Sequence, residues 1–219
     1  MRFRDRSDAG RRLAQHLVAY AGRADVVVLA LPRGGVPVGY EVARFLAAPL
    51  DVFVVRKLGV PGHEELAMGA LAAGGRRVLN RGVVEGLGLS AADIEAVTAA
   101  EKEMVDERVR AYRGDRPPPA VEGRTVILVD DGLATGATMR AAVTALREQA
   151  PSRLVVAVPI AAPQACEDME GYADEVVCAC TPEPFMAVGA WYDDFSQTTD
   201  DEVRDLLAGA EAWVRGGHR

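Results

Sequence analysis

Runs of apolar, mostly β-branched residues recur along this chain, and segments with helical spacing separate most of them. "DVVVLALP" (25–32) shows no polar alternation, as expected of a parallel strand covered on both faces. "LDVFVVRKL" (50–58), "RTVILVDD" (124–131), "RLVVAVPIA" (153–161) and "DEVVCACT" (174–181) predict further strands. Between them, Val38, Val42, Phe45 and Leu46 repeat at helical spacing, as do Met139, Ala142, Val143 and Leu146, and another helix is expected near 163–172. "LAMGALAAGGRRVLN" (66–80) predicts a hairpin turning at Gly74 and Gly75. A long helix is expected over 90–112, with Ser90 as N-cap, Asp93 three residues on, and a stripe of Ile94, Val97, Met104, Val105, Val109 and Tyr112. Gly114 and Pro117, Pro118 and Pro119 end it. A last helix has Thr199 as N-cap, Glu202 in capping-box position, and Val203, Leu206, Leu207, Ala210 and Trp213 on one face. Strands alternating with helices specify an α/β protein with a parallel sheet, and 219 residues suit one domain.

Charge and cysteine usage narrow the partners. A formal net charge of −7 argues against a surface built to neutralise nucleic-acid phosphates. No apolar run approaches the ~18 residues of a membrane span, and the N-terminal stretch lacks the apolar core of a signal peptide. The expectation is a cytoplasmic protein that binds neither nucleic acid nor membrane. Cys166, Cys178 and Cys180 show no disulfide or metal spacing and are expected as buried thiols.

Function is concentrated in "VILVDDGLATGAT" (126–138). Ligands of open α/β sheets sit at the carboxyl ends of the strands, where Asp130 and Asp131 fall. Ala134, Thr135, Gly136, Ala137 and Thr138 then lead straight into a helix. Amides at a helix N-terminus form an anion site, and small side chains let a phosphate reach the backbone. Two carboxylates beside a phosphate site make sense when a sugar diol or a divalent cation lies between, as in a ribose 5-phosphate. Other nucleotide motifs fit worse: the loop lacks the lysine of a P-loop, and "LPRGGVPVG" (31–39) lacks dinucleotide-fingerprint spacing. "HEELA" (63–67) has Ala67 where a zinc-protease motif needs its second His.

Residues 126–138 resemble the signature of type I phosphoribosyltransferases. With the N-terminal arm, "LPRGGVPVG", "VRKLG" (55–59), "ELAMGA" (65–70), the proline-rich connector and "VGAWYDDF" (188–195), the resemblance to a bacterial subgroup of that family covers nearly the whole chain. It implies a parallel-sheet fold with helices on both faces, a flexible lid hairpin and a small hood. It further implies Mg-dependent transfer of the phosphoribosyl group of phosphoribosyl pyrophosphate (PRPP) to a nitrogenous acceptor, with release of pyrophosphate. The alternative is a PRPP-sensing protein without transfer activity.

On this resemblance Asp130 and Asp131 hold the ribose and residues 134–138 its 5′-phosphate, while Arg33, Gly34 and Gly35 form the pyrophosphate loop. Arg56 and Lys57, ending the second strand, face the same leaving group. Residues 59–69 form the lid, hinged at Gly59 and Gly62, with His63 and Glu64 facing the reaction on closure. Residues 181–198 form the hood, where Trp191 or Tyr192 stacks on the acceptor and Asp193 helps hold Mg2+, itself mostly substrate-bound. The segment 76–120 exceeds the family's compact members and is expected as a homodimer contact or an enlarged hood.

Overall fold

The computed structural model describes residues 2–114 and 116–216. In chain order the elements are α1 (Arg6–Gln15), β1 (Val26–Ala30), α2 (Gly35–Leu46) and β2 (Leu50–Val52). The antiparallel strands β3 (Val55–Val60), β4 (His63–Ala72) and β5 (Arg76–Leu79) come next, then α3 (Arg81–Gly86) and α4 (Ala91–Arg113). The chain closes with β6 (Thr125–Val129), α5 (Ala137–Arg147), β7 (Arg153–Val158), α6 (Pro163–Met169), β8 (Glu175–Cys178) and α7 (Asp200–Gly216).

Five strands form a parallel sheet in the order β2-β1-β6-β7-β8. Because successive side chains in a strand point to opposite faces, the apolar runs feed two cores. Val26, Val28, Ala30, Ile127, Val129, Val155 and Ala157 pack with residues of α1, α2, α4 and α7. Val27, Leu29, Val126, Leu128, Leu154, Val156 and Val158 pack with α5 and α6. Burying each such Val or Leu contributes about 1.5–3 kcal/mol, which explains why these runs carry no polar alternation.

The expected second strand divides. Phe53 N–H still donates to the Ala30 carbonyl of the parallel sheet, whereas the Val54 carbonyl already accepts from Ala73 N–H. Residues 55–79 therefore build a second sheet, β3-β4-β5, with turns at Pro61–Gly62 and Ala73–Gly75. Leu58, Met68 and Leu71 share a core with α4, while Val55, Ala70 and Ala72 share one with α5. The hairpin base is thus buried between two helices, and His63 to Leu66 at its tip are exposed.

The long helix has the anticipated capping box at Ser90 and Asp93. Ile94, Val105 and Tyr112 are buried, but Met104 lies off the stripe and is exposed. Its last turn is fastened to β2: Arg113 Nε donates to Asp51 Oδ1 at 2.9 Å and Nη2 to the Val52 carbonyl at 3.0 Å. α7 has its capping box at Thr199 and Glu202.

The cysteines depart from expectation. Cys166 of α6 and Cys178 of β8 form a disulfide, and Cys180 is a half-buried free thiol. Neighbouring elements bring together residues that no local spacing pairs. No helix among the described residues is long and apolar enough to cross a membrane.

Candidate functional site

Asp130 and Asp131 stand at the carboxyl end of β6, between β1 and β7. The loop 32–35, which follows β1, lies directly on them. A Cβ on Gly34 would collide with the Asp131 carboxylate, and one on Gly35 would lie 2.8 Å from the Val129 carbonyl oxygen and 2.9 Å from Asp130 Cα. A residue without a side chain is needed for the two loops to approach this closely.

Burial pushes the Asp130 carboxyl well above the usual carboxylate range, and the neighbouring Asp131 charge adds to it. Burial raises Asp131 too, against the opposing pull of Arg6. Arg6 Nε donates to Asp131 Oδ2 at 2.8 Å, and Asp131 N–H donates to Asp130 Oδ1 at 2.8 Å.

Beyond the acids, Ala134, Thr135 and Thr138 are exposed, Ala137 is half-buried and Gly136 is buried. Gly136 caps α5 with a φ of 72°, a left-handed conformation that disfavours side chains. The first-turn amides of this eleven-residue helix have no partners within the helix. Arg140 reaches back from α5, its Nη1 donating to the Thr135 carbonyl at 2.9 Å. A guanidinium, exposed hydroxyls and first-turn amides thus meet at one loop, an arrangement suited to an anion.

The remaining cations each face a carboxylate. Arg33 lies 3.6 Å from Asp200 Oδ1, which also accepts from the Tyr112 hydroxyl at 2.7 Å. Arg56 and Lys57 belong to β3 and not to the end of a parallel strand, because the chain changes sheets at 53–54. Arg56 Nε donates to Glu101 Oε2 at 2.6 Å, and Lys57 Nζ to Glu65 Oε2 at 3.3 Å.

Tyr192, one of the two aromatics expected to stack on an acceptor, is packed within the segment expected as the hood. It is buried between Phe3 and Phe195, with ring centroids 5.4 and 4.9 Å away, and its hydroxyl donates to the Asp131 carbonyl at 2.6 Å. Burial raises its phenol pKa. The ring serves as a strut beneath the acid pair. Trp191 is half-buried against the same small core, and Asp193 is exposed, 3.4 Å from Arg2 Nε. A cleft of about 710 Å3 opens between the start of α6 and the hood, walled by Ala162, Gln164, Glu167, Glu183 and Phe185. Ala162 N–H donates to the Leu133 carbonyl at 2.8 Å, which puts the cleft beside loop 134–138. Among the described residues, no group of three or more His, Cys, Asp or Glu side chains is arranged to hold a metal ion.

Arg6, Arg140 and Phe185 join the site without a clear local signal. Arg6 sits in an arginine-rich N-terminal arm in which no single arginine stands out, and Arg140 on a helix face with no motif. Phe185 has a weak signal, an aromatic preceded by Pro182 and Pro184 just after the last strand.

The chain is similar to known proteins. The family model described as the phosphoribosyl transferase domain matches residues 4–188. Proteins from two strains of Mycobacterium tuberculosis, provisionally named phosphoribosyl transferases, are 52% identical over 205 residues, 94% of this chain and 46% of theirs. The chain spans about half the length of these curated relatives. A protein of Thermus thermophilus, known from its crystal structure, is 45% identical with a TM-score of 0.88, covering 95% of this chain and 99% of that one. A protein of Aquifex aeolicus shares the fold alone, at a TM-score of 0.51 and 14% identity over 92% of this chain and 84% of its own.

Proposed function

The chain belongs to the phosphoribosyl transferase family, and from that premise we propose that it transfers the phosphoribosyl group of PRPP to a nitrogenous acceptor, releasing pyrophosphate. The observation that carries this reading is the closure of the Gly34–Gly35 loop onto Asp130 and Asp131, beside the left-handed cap of α5. The 5′-phosphate would lie on the amides and hydroxyls of residues 134–138, and the ribose hydroxyls would donate to the acids. The anomeric C–O bond to pyrophosphate then breaks as a bond to the acceptor nitrogen forms. Little covalent help is needed; positioning and charge stabilisation carry the chemistry.

Arg33, Arg56 and Lys57 would receive the leaving pyrophosphate by exchanging their present carboxylate partners. Partly exposed ion pairs of this kind contribute about 0–1 kcal/mol, so the exchange costs little. Mg2+ is a hard cation that takes oxygen donors. Asp193 could join such an ion on leaving Arg2. Mg2+ bound mainly through substrate oxygens would neutralise charge on the departing pyrophosphate. The exposed hairpin tip, 61–66, would cover the site and exclude water. The acceptor would enter the cleft beside Phe185, whose ring would take the stacking role expected of Trp191 or Tyr192.

Calorimetric titration with PRPP and Mg2+ tests the reading in wild type, Asp131→Asn and Thr138→Val, followed by pyrophosphate release across a panel of bases and amines. Both substitutions should weaken PRPP binding about tenfold or more, a loss of about 1.4 kcal/mol or above, while leaving the fold intact. Unchanged binding in both variants would refute the site. Specific binding with no release from any acceptor would favour a PRPP sensor.

A further inference from the structure

Nothing in the sequence singles out Arg6, yet it makes three separate contacts at the carboxyl end of the sheet. Its Nε donates to Asp131 Oδ2 at 2.8 Å, its Nη1 donates to the Ser196 carbonyl at 2.6 Å, and its guanidinium lies 4.0 Å from the centre of the Phe195 ring. The two paired side chains are 12% and 16% exposed. An ion pair this covered leaves a costly lone charge when one partner is removed. The segment bearing Arg6 is itself stitched to the hood. Phe3 N–H donates to the Trp191 carbonyl and Asp193 N–H to the Phe3 carbonyl, both at 2.8 Å, and Asp194 N–H donates to the Arg4 carbonyl at 2.9 Å. Behind it, α1 crosses α2 at Gly10, where a Cβ would lie 2.7 Å from the Val38 carbonyl oxygen.

We propose that Arg6 is a positioning residue of the donor site: it holds the Asp131 carboxylate in one orientation toward the ribose and ties hood segment 192–196 to it. The inference rests on the phosphoribosyl-transfer reading of the acid pair and adds the part that couples donor and acceptor halves. A guanidinium is a rigid planar donor, so it fixes the carboxylate it binds. With Oδ2 engaged, Oδ1 is the oxygen left to accept a ribose hydroxyl. Facing Asp131 are Arg6 from α1, Asp130 from its own segment, Tyr192 from the hood on the main-chain oxygen, and the Gly34 backbone from the glycine loop. Asp194 and Glu202 also feel the Arg6 charge. Arg6 is the cation paired with the Asp131 carboxylate, and its charge opposes the rise that burial gives that carboxyl. A hood that shifts over an acceptor moves Ser196 and Phe195, and through Arg6 it moves Asp131.

The test compares wild type, Arg6→Gln and Arg6→Lys in PRPP and Mg2+ titrations from about pH 5.5 to about pH 8.5, with the Asp131 carboxyl 13C shift followed in the ligand-free proteins. Arg6→Gln should bind PRPP about tenfold more weakly at the acid end and recover much of that loss at the alkaline end. Its Asp131 should titrate at higher pH, and Arg6→Lys should restore the wild-type profile. A loss equal at every pH with an unmoved Asp131 titration overturns the proposal, as does wild-type behaviour of Arg6→Gln. Should wild type bind no PRPP, the transfer reading fails separately, and an unshifted Asp131 in ligand-free Arg6→Gln overturns the role of Arg6 by itself.

Discussion

At Asp130 a carboxyl lies buried beside a second carboxyl, and both gain proton affinity from that burial. The folded state therefore holds protons that the unfolded chain, with an Asp value of about 3.9, has already released. By linkage, the pair's contribution to stability is most favourable below that unfolded value and is lost as pH rises through the raised folded one. Asp130→Asn should consequently raise Tm at neutral pH, with a gain that shrinks toward about pH 4, and should weaken PRPP binding. Thermal unfolding over a pH series checks this, and a lower Tm at neutral pH would contradict it. The acids themselves are legible in sequence, because strand, acid pair, small-residue loop and helix follow one another without interruption. Arg6 is not: it is 125 residues distant along the chain from Asp131. Nor is the fate of Tyr192, whose neighbours Phe3 and Phe195 come from the N-terminal arm and the hood. The same aromatic suits a stacking platform or a strut, and packing partners decide between them.

Elements were readable where their signals are local. The Ser90–Asp93 and Thr199–Glu202 capping boxes need only three-residue spacing, and both form. The break between β2 and β3 has no such mark. Phe53 and Val54 are as strand-forming as their neighbours, and the exchange of partner from Ala30 to Ala73 depends on a second sheet between α4 and α5. That sheet places Arg56 and Lys57 on a hairpin rather than on the parallel-sheet edge. The join between α4 and β2 rests on Arg113, which is 6% exposed at its side chain and paired to Asp51. Arg113→Ala removes both its hydrogen bonds and leaves Asp51 without its cation, which should cost about 3 kcal/mol. A urea midpoint lowered at unchanged m-value would register that loss; a shift below about 0.5 kcal/mol would mean that α4 is held by its apolar stripe alone.

At the scale of the molecule, the disulfide between Cys166 and Cys178 closes a short loop, with a sequence separation of 12. Constraining a loop near that length stabilises by about 3 kcal/mol in the chain-entropy account. Reduction of protein prepared under oxidising conditions should therefore lower Tm by several degrees, Cys166→Ser should reproduce the effect, and Cys180→Ser should not. Equal Tm values before and after reduction would exclude a stabilising bond. By itself the sequence determined the α/β class, the motif of acid pair and small-residue loop, and its family, because two-faced strands, helical spacing and caps are short-range consequences of backbone geometry and side-chain burial. Tertiary structure decided which residues surround that motif. The Arg6 pairing, the Tyr192 strut, the cleft at Phe185, the sheet change at 53–54 and the disulfide all join segments distant in the chain. Local periodicity carries no information about such meetings, since they depend on how completed elements pack.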